Sequence, residues 1–235
     1  MKRIMLCMCV FVVTYSLSAV GQTGIIQGSA VDENADPVSE AEVTWFDLDA
    51  SENVVEAHTG PQASVNTDKT GHFTIEHLVV DHNYALVAKK ESAGYPDMSM
   101  SLYNPLGKTQ TTTARPKGQV LEFRLQMGPK AARLKWDVRD AITGAHVKGL
   151  TFAMHRGDGA GESAGLAPLS GSAPASYSLL VPTDVGVSVE FSAKGYKTWY
   201  YPGTTTKAAT TFMSTAPGQT TKLDVRLEQA GAQHN

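Results

Sequence analysis

Cysteine is nearly missing from this chain of 235 residues, and long apolar stretches with helical spacing are missing too. The two cysteines, Cys7 and Cys9, both lie within the first 21 residues. A chain that begins after residue 21 therefore has no disulfide, no thiol nucleophile and no thiolate metal ligand. Since no disulfide can hold an exported domain together, each domain must be stabilised by its apolar core.

Basic residues are too few and too scattered for a phosphate-binding surface. The chain has 20 Lys and Arg against 23 Asp and Glu, which gives a formal net charge of −3 at pH 7. Nucleic-acid-binding proteins cluster positive charge on one face, so this balance argues against a nucleic-acid partner. After residue 21 no apolar run approaches the roughly 20 residues of a spanning helix, so we expect no membrane span there.

The first 21 residues predict a signal peptide. Lys2 and Arg3 precede an apolar run at residues 4–15, and Ala19-Val20-Gly21 has the small-x-small form that signal peptidases cleave. The alternative is an uncleaved membrane anchor, which the shortness of the run disfavours. The two cysteines lie inside the run and not just after it, which disfavours a lipid anchor. We therefore expect an exported protein that is periplasmic, on the outer surface or extracellular.

No motif of a common catalytic site stands in the setting that its chemistry needs. The histidines form no His-Glu-x-x-His pair, and no phosphate-binding loop occurs. The one Gly-x-Ser-x-Gly spacing, at residues 161–165, lies in a Gly-, Ser- and Ala-rich stretch without the strand-turn-helix pattern of a nucleophile elbow. His72, His77 and His82 are interpreted as surface residues, with a weak transition-metal site as the alternative. We predict a protein that is not an enzyme and has no catalytic residue, no metal site and no cofactor.

One acidic segment has part of the pattern of a calcium-binding loop. Asp32, Asn34 and Asp36 stand at alternate positions, as calcium ligands do. Such a loop requires Gly at its sixth place and Glu at its twelfth, where this chain has Pro37 and Val43. A hairpin turn is the better interpretation, with an adventitious calcium site as the alternative.

Short alternating runs separated by turn residues predict an all-β fold. Asp68 and Gly71 predict a tight turn, because Asp can bond its own backbone two residues on and Gly accepts positive φ. After that turn Phe73 and Ile75 alternate with polar residues, as in a half-buried strand. We predict that Phe73 points inward and that His72 points outward.

The second half of the chain repeats the landmarks of the first half in the same order, which indicates a duplication. The repeated landmarks are strand-to-turn segments at Asp32 and Asp140, Gly94-Tyr95 and Gly195-Tyr196, Thr-rich loops after residues 105 and 203, and closing strands at 121–125 and 223–227. Gly128 and Pro129 interrupt the pattern. We predict β-sandwich domains at residues 22–127 and 128–229 with a tail at 230–235, and solvent loops at 47–63 and 156–175.

These landmarks resemble the carboxypeptidase regulatory-like domain, a transthyretin-like (prealbumin-like) β-sandwich of bacterial exported proteins. Residues 28–43, 67–73 and 84–95 carry the resemblance, and the second half, which lacks the central turn, resembles a degenerate copy. The resemblance implies two tandem prealbumin-like (Ig-like) domains. It also implies an accessory module without catalytic residues, and a few related sandwiches bind starch or other glycans.

Aromatic residues are the best functional lead in the sequence. Neighbours in a strand point to opposite faces, so at least one residue of Trp199, Tyr200 and Tyr201 should face solvent. Exposed rings stack on sugars or anchor protein contacts. The alternative is that Trp199 and Tyr201 cover the open end of the sandwich, leaving Tyr200 exposed. Trp136 is predicted to be core.

The function predicted from the sequence is structural support or protein–protein interaction at the cell envelope or outside the cell. The alternative is carbohydrate binding through Trp199, Tyr200, Tyr201 and Tyr103. The expected partner is accordingly a protein or a polysaccharide, and the sequence does not identify it.

Overall fold

The computed structural model describes residues 23–50, 63–100, 102–104, 109–160 and 169–231. The regular elements of these ranges are fifteen β-strands and two short 3₁₀ helices, which confirms the predicted all-β class. The strands are β1 (Thr23–Val31), β2 (Glu42–Asp47), β3 (Ser64–Asn66), β4 (His72–Val79), β5 (Asn83–Lys89), β6 (Gln110–Thr113), β7 (Arg115–Pro116), β8 (Glu122–Gln126), β9 (Ala132–Asp140), β10 (Thr151–Arg156), β11 (Leu169–Ser172), β12 (Ser176–Val181), β13 (Val187–Ser192), β14 (Trp199–Tyr200) and β15 (Thr220–Leu227). The 3₁₀ helices span Glu91–Ala93 and Lys207–Ala209.

The first eight strands form two sheets that enclose one core. In one sheet β1 pairs antiparallel with β4 and β7 and in parallel with β8, and the other sheet has the order β3-β2-β5-β6. Ile26 and Ile75 of the first sheet share a buried cluster with Val43 and Leu86 of the second. The period-2 alternation of these strands places one apolar face of each sheet toward the other, which makes a β-sandwich.

The remaining strands repeat the same strand order. The order β12-β9-β15 matches β4-β1-β8, and β11-β10-β13-β14 matches β3-β2-β5-β6. Trp136, 2 % exposed, lies in the second buried cluster as predicted, with Met154 and Phe191. No strand pair of the described ranges joins β1–β8 to β9–β15. The placement of a domain boundary at residues 127–128 remains a prediction.

Matching backbone hydrogen bonds define equivalent residues in the two halves. The amide of Ala30 donates to the carbonyl of Gly71 at 2.9 Å, and the amide of Val138 donates to the carbonyl of Ala175 at 2.7 Å. Ala30 lies two residues before Asp32, and Val138 lies two residues before Asp140. Because each aspartate begins the turn after the first strand of its half, Ala30 corresponds to Val138. The two halves therefore share this backbone hydrogen bond at equivalent positions, and the duplication itself remains a prediction from the sequence landmarks.

The closing strands match in a register that differs from the sequence alignment by two residues. Leu125 pairs with Ala30 and Val225 pairs with Val138, so Leu125 corresponds to Val225. The alignment of residues 121–125 with 223–227 is therefore wrong, and Leu121 is 82 % exposed. A shift of two residues keeps every side chain on the same face, so polarity alone cannot detect it.

Two segments predicted as loops are edge strands. Residues 169–172, inside the predicted loop at 156–175, form β11 against β10, and the threonines at 111–113 belong to β6. Edge strands are paired on one side and largely solvated, so they tolerate small and polar residues that read as loop. Residues 51–62 and 161–168 of the predicted loops lie outside the described residues.

The predicted turns and alternation are confirmed. One carboxylate oxygen of Asp68 accepts the amides of Thr70 and His72 at 2.7 and 3.0 Å, and Gly71 has a φ of +80°. In the strand that follows, Phe73 is buried and His72 is exposed. The predicted signal peptide at residues 1–21 lies outside the described residues, and no helix of the described part is long and apolar enough to cross a membrane.

Candidate binding cleft

The aromatic run of β14 follows the alternation of a strand. Trp199 is 8 % exposed and packs on Phe191 with ring centroids 5.7 Å apart. Tyr201 lies partly buried against the same core. Tyr200 points the other way and lines an open cleft. A platform of three neighbouring exposed rings is therefore not formed, and the arrangement matches the alternative in which Trp199 and Tyr201 cover the core.

Tyr103 makes different contacts from those of the β14 residues. Its ring packs against the core of the second half, and its hydroxyl donates to the carbonyl oxygen of Leu180 at 2.9 Å. Burial raises the pKa of the Tyr103 phenol well above its ordinary value. The partly buried ring and its hydrogen-bonded hydroxyl connect two distant parts of the chain, so the contact that Tyr103 makes in this structure is a structural one.

The cleft beside Tyr200 has a volume of about 360 Å³ and lies on the outer face of β10, β13 and β14. Tyr200 is the direct partner of Glu190 across the β13–β14 ladder, so the phenol ring and the carboxylate stand side by side on one face. Phe212, 49 % exposed, adds a second aromatic ring. The polar lining side chains are His155, Arg156, Ser188, Glu190, Lys207 and Thr210.

The charged side chains of the cleft differ in whether another charged side chain already pairs with them. The Arg156 guanidinium is 7 % exposed and bonds Asp158 at 2.8 Å and Asp184 at 3.1 Å, and the bond to Asp158 raises its pKa. The positive charge of Arg156 is therefore neutralised by these two carboxylates, and the side chain forms part of the cleft wall. Neither Glu190 nor Lys207 forms an ion pair within the described part of the chain. An aromatic face with available hydrogen-bonding groups suits a polar ligand that has one apolar surface.

The sequence-based search missed Glu190, Lys207 and Phe212. One signal was available: Glu190 is a single charge inside β13, whose neighbouring residues are otherwise buried. A lone charge in such a strand marks the position where the sheet face meets solvent or a ligand. No sequence signal marked Lys207 or Phe212, because only the path of the loop after β14 places them over the sheet.

Ser29, His72 and Glu122 form a polar row that resembles a hydrolase triad in composition. The Ser29 hydroxyl lies 3.0 Å from His72 Nδ1 and 2.9 Å from the Glu122 carboxylate, and His72 Nδ1 is 3.0 Å from the same carboxylate. Activation of a serine requires the hydroxyl and the carboxylate on opposite ring nitrogens. Here both contact one nitrogen, and the His72 and Glu122 side chains are 55 % and 57 % exposed. The row is a set of cross-strand surface pairs.

His72, His77 and His82 do not form one cluster. His72 contacts Glu122, His77 is exposed, and His82 contacts Asp47 instead. The interpretation as surface residues is confirmed for His72 and His77 by their exposure, whereas His82 is half-buried, because its ring lies against Asp47. His58 and His234 lie outside the described residues.

The Asp32 segment is a hairpin turn, as predicted. Asp32 Oδ1 accepts the amides of Asn34 and Asp36, both at 2.9 Å. The turn returns the chain so that Val31 bridges Pro37. One of the two Asp32 carboxylate oxygens is therefore bonded to the backbone of its own turn.

The tyrosines of the two Gly-Tyr landmarks make structural hydrogen bonds. Tyr196 donates to Asp140 Oδ2 at 2.9 Å, and Gln229 donates to the same oxygen at 2.8 Å. The Gln229 bond, with the turn amides and Tyr196, holds the pKa of Asp140 far below its ordinary value. In the first half Tyr95 donates to Glu33 at 3.2 Å, and burial followed by the charge of Glu33 raises the pKa of Tyr95 to about 12. Each tyrosine ties a late loop to the turn after the first strand.

No family model matches the chain, and no curated protein matches it. Solved structures similar to it include the shaft pilin SpaA from Lactobacillus rhamnosus GG, at 12% identity over 91% of this chain and 99% of that chain, with a TM-score of 0.37. A streptococcal ancillary pilin matches at 10% identity over 91% of this chain and 64% of that chain, with a TM-score of 0.37. The Bacillus anthracis TIE protein matches at 11% identity with a TM-score of 0.33, over 88% of this chain and 34% of that chain.

At these scores the likenesses establish neither a family nor a function. The resemblance to the carboxypeptidase regulatory-like domain stays a prediction from the sequence.

Proposed function

We propose that this chain is a non-catalytic tandem module of an exported protein, which provides structural support or protein–protein contact at the cell envelope or outside the cell. The joint between its two halves carries the proposal. Leu102 lies between β5 and β6 of the first half, yet it is 3 % exposed inside the buried cluster that contains Trp136 and Phe191. A residue of one half that completes the core of the other fixes their relative orientation.

Hydrogen bonds around Leu102 reinforce the joint from both directions. The Arg156 guanidinium donates to the Leu102 carbonyl at 2.8 Å, while Tyr103 donates to Leu180 at 2.9 Å. The bonds nearer the linker are Ala131 N to Gly94 O at 2.8 Å and Thr183 Oγ1 to Lys130 O at 3.1 Å. Contacts between flexibly linked domains are normally sparse, so this set indicates a fixed spacer.

Small-angle X-ray scattering of the chain from Gln22 onward tests the structural part of the proposal. A single fixed shape should fit the scattering of the native chain at low and high salt, because the joint depends on apolar burial and backbone carbonyls. The Leu102→Asp variant is the matched reference, since a charge in that core should release the joint. Scattering that requires many relative orientations in the native chain would contradict the proposal.

A substrate panel tests the non-catalytic part. We expect no hydrolysis of esters, peptides or glycosides by the purified chain, because Ser29, His72 and Glu122 lack a relay geometry. The Ser29→Ala variant is the control that separates this row from a contaminant. Hydrolysis that the native chain performs and Ser29→Ala has lost would overturn the proposal.

Carbohydrate binding is the second candidate, and the adjacent Tyr200 and Glu190 in the cleft favour it. An aromatic ring offers a stacking face for a sugar, and a neighbouring carboxylate accepts bonds from its hydroxyls. Retention on a panel of insoluble polysaccharides should be lost in Tyr200→Ala and reduced in Glu190→Gln. Tyr177→Ala is the control, since that ring is 47 % exposed on another sheet. Retention by no matrix, or equal retention by all variants, contradicts this candidate.

A further inference from the structure

The end of the β2–β5 ladder brings Asp47, Asp49 and His82 together. Asp47, the last residue of β2, pairs with Tyr84 of β5. The ladder continues one step beyond the strand, because the amide of Leu48 donates to the carbonyl of Asn83 at 2.9 Å. Residues leaving β2 therefore run beside residues entering β5. One possible ligand atom from each of the three side chains lies within 4.8 Å of the other two.

Backbone amides hold the two carboxylates in place, and the Asp47 carboxylate in turn holds His82. Asp47 Oδ1 accepts the amides of Asp49 and Ala50, both at 3.0 Å, which fixes its carboxylate. His82 Nδ1 lies 3.1 and 3.0 Å from the two Asp47 oxygens. Asp49 Oδ2 accepts the amide of Asn83 at 2.6 Å. A site held in this way loses little side-chain freedom when it takes up a ligand.

The charge of the group is not balanced by a basic side chain. Within the described residues neither Asp47 nor Asp49 forms an ion pair with a lysine or arginine, and the ionisable partners of Asp47 are His82 and the Tyr84 phenol. Asp81, close by in sequence, does have such a partner, with Arg115 at 2.8 Å. The Asp47 and His82 side chains are only 21 % and 33 % exposed, so water screens the Asp47 carboxylate incompletely, whereas Asp49 is exposed. A divalent cation would remove the mutual repulsion of the two carboxylates.

We propose that Asp47, Asp49 and His82 form a divalent transition-metal site, with Zn²⁺ as the ion that fits the donor set. Zn²⁺ binds imidazole nitrogen and carboxylate oxygen, whereas Ca²⁺ and Mg²⁺ prefer oxygen ligands alone. Bonds of about 2.0–2.2 Å place tetrahedral ligand atoms roughly 3.3–3.6 Å apart. The His82–Asp47 contact, at 3.0 Å, is close to that spacing, and the Asp49 ligand atom lies within 4.8 Å of both. Three protein ligands leave the fourth position to water.

The competing interpretation is an ordinary ion pair between His82 and Asp47, with Asp49 serving as a turn cap. The chain contains a matched example of such a pair in His72 and Glu122, beside which the described residues place no third histidine or carboxylate ligand. Zn²⁺ binding that depends on Asp49 as well as His82 therefore separates a metal site from an ion pair.

Isothermal titration of Zn²⁺ into the metal-free chain from Gln22 onward tests the proposal. We expect one equivalent to bind and excess Mg²⁺ not to displace it. Asp49→Asn and His82→Gln should each weaken binding by at least about tenfold, since the loss of even a supporting contact has an effect of that order. His72→Gln, the matched control, should bind as the native chain does. In the native chain, the ring nitrogen signals of His82 should shift with one equivalent of Zn²⁺.

Absence of binding at millimolar Zn²⁺ would overturn the proposal, as would native-like binding by both Asp49→Asn and His82→Gln. If His82→Gln fails to fold, Asp49→Asn decides the question, because the Asn side-chain oxygen can still accept the Asn83 amide. The circular dichroism spectrum of each variant identifies a folding defect before the titration.

Discussion

Replacing Leu102 with Ala should destabilise the second half of the chain, although Leu102 lies between two strands of the first. The side chain is 3 % exposed in the cluster around Trp136. Leu-to-Ala changes in cores reduce the free energy of unfolding by about 2–5 kcal/mol, and a site at a joint relaxes more readily than one at a core centre. We therefore expect a loss of about 2–3 kcal/mol. Leu121→Ala, at 82 % exposure in the same half, is the control and should change stability by less than about 0.5 kcal/mol.

Tryptophan fluorescence can report this loss from the second half alone. Trp136 and Trp199 lie in the second core, and the third tryptophan of the chain, Trp45, lies in β2. In a Trp45→Phe background, urea unfolding followed by fluorescence monitors the second half. Leu102→Ala should lower the midpoint without changing the slope. Equal midpoints for Leu102→Ala and Leu121→Ala would refute the burial of Leu102 in that core, and with it the joint.

Three further changes probe separate parts of the structure. Gly28→Ala should reduce the free energy of unfolding by more than about 2 kcal/mol, because its Cβ would overlap the Phe123 carbonyl, whereas Gly171→Ala meets no close neighbour and should be near neutral in the same urea titration. Tyr103→Phe leaves a carbonyl without its donor and should reduce that free energy by about 1 kcal/mol. The pKa of Asp140 is lowered in the folded chain, so its contribution is complete above the unfolded value of about 3.9 and is lost as pH falls below it. The urea midpoint of the native chain should therefore fall more steeply than that of Asp140→Asn between pH 5 and pH 3, and equal slopes would contradict this role.

Local patterns predicted the parts of the fold that local chemistry determines. The turn at Asp68 and Gly71 follows from an Asx bond and a positive φ, and both are properties of a few adjacent residues. The inward direction of Phe73 and Trp136 follows from alternation along one strand. The repeated order of landmarks likewise corresponds to a repeated strand order.

Features that depend on pairing between distant segments could not be derived in this way. The parallel register of β8 on β1 differs by two residues from the alignment, which alternation cannot detect. The Asp47–His82 contact exists because β2 and β5 are neighbours, and Leu102 reaches the second core only through the geometry of the joint. Successive residues of β14 point to opposite faces of the sheet, so Trp199 is buried while Tyr200 lines the cleft.

The rigid joint is tested most directly by residual dipolar couplings of backbone amides, measured on the chain from Gln22 onward. The couplings of β1–β8 and of β9–β15 are fitted separately, each to its own half of the structure. Rigid attachment through Leu102 predicts one alignment tensor, with the same magnitude and orientation for both halves. Tensors of different magnitude would show that the halves reorient independently and would contradict a fixed spacer.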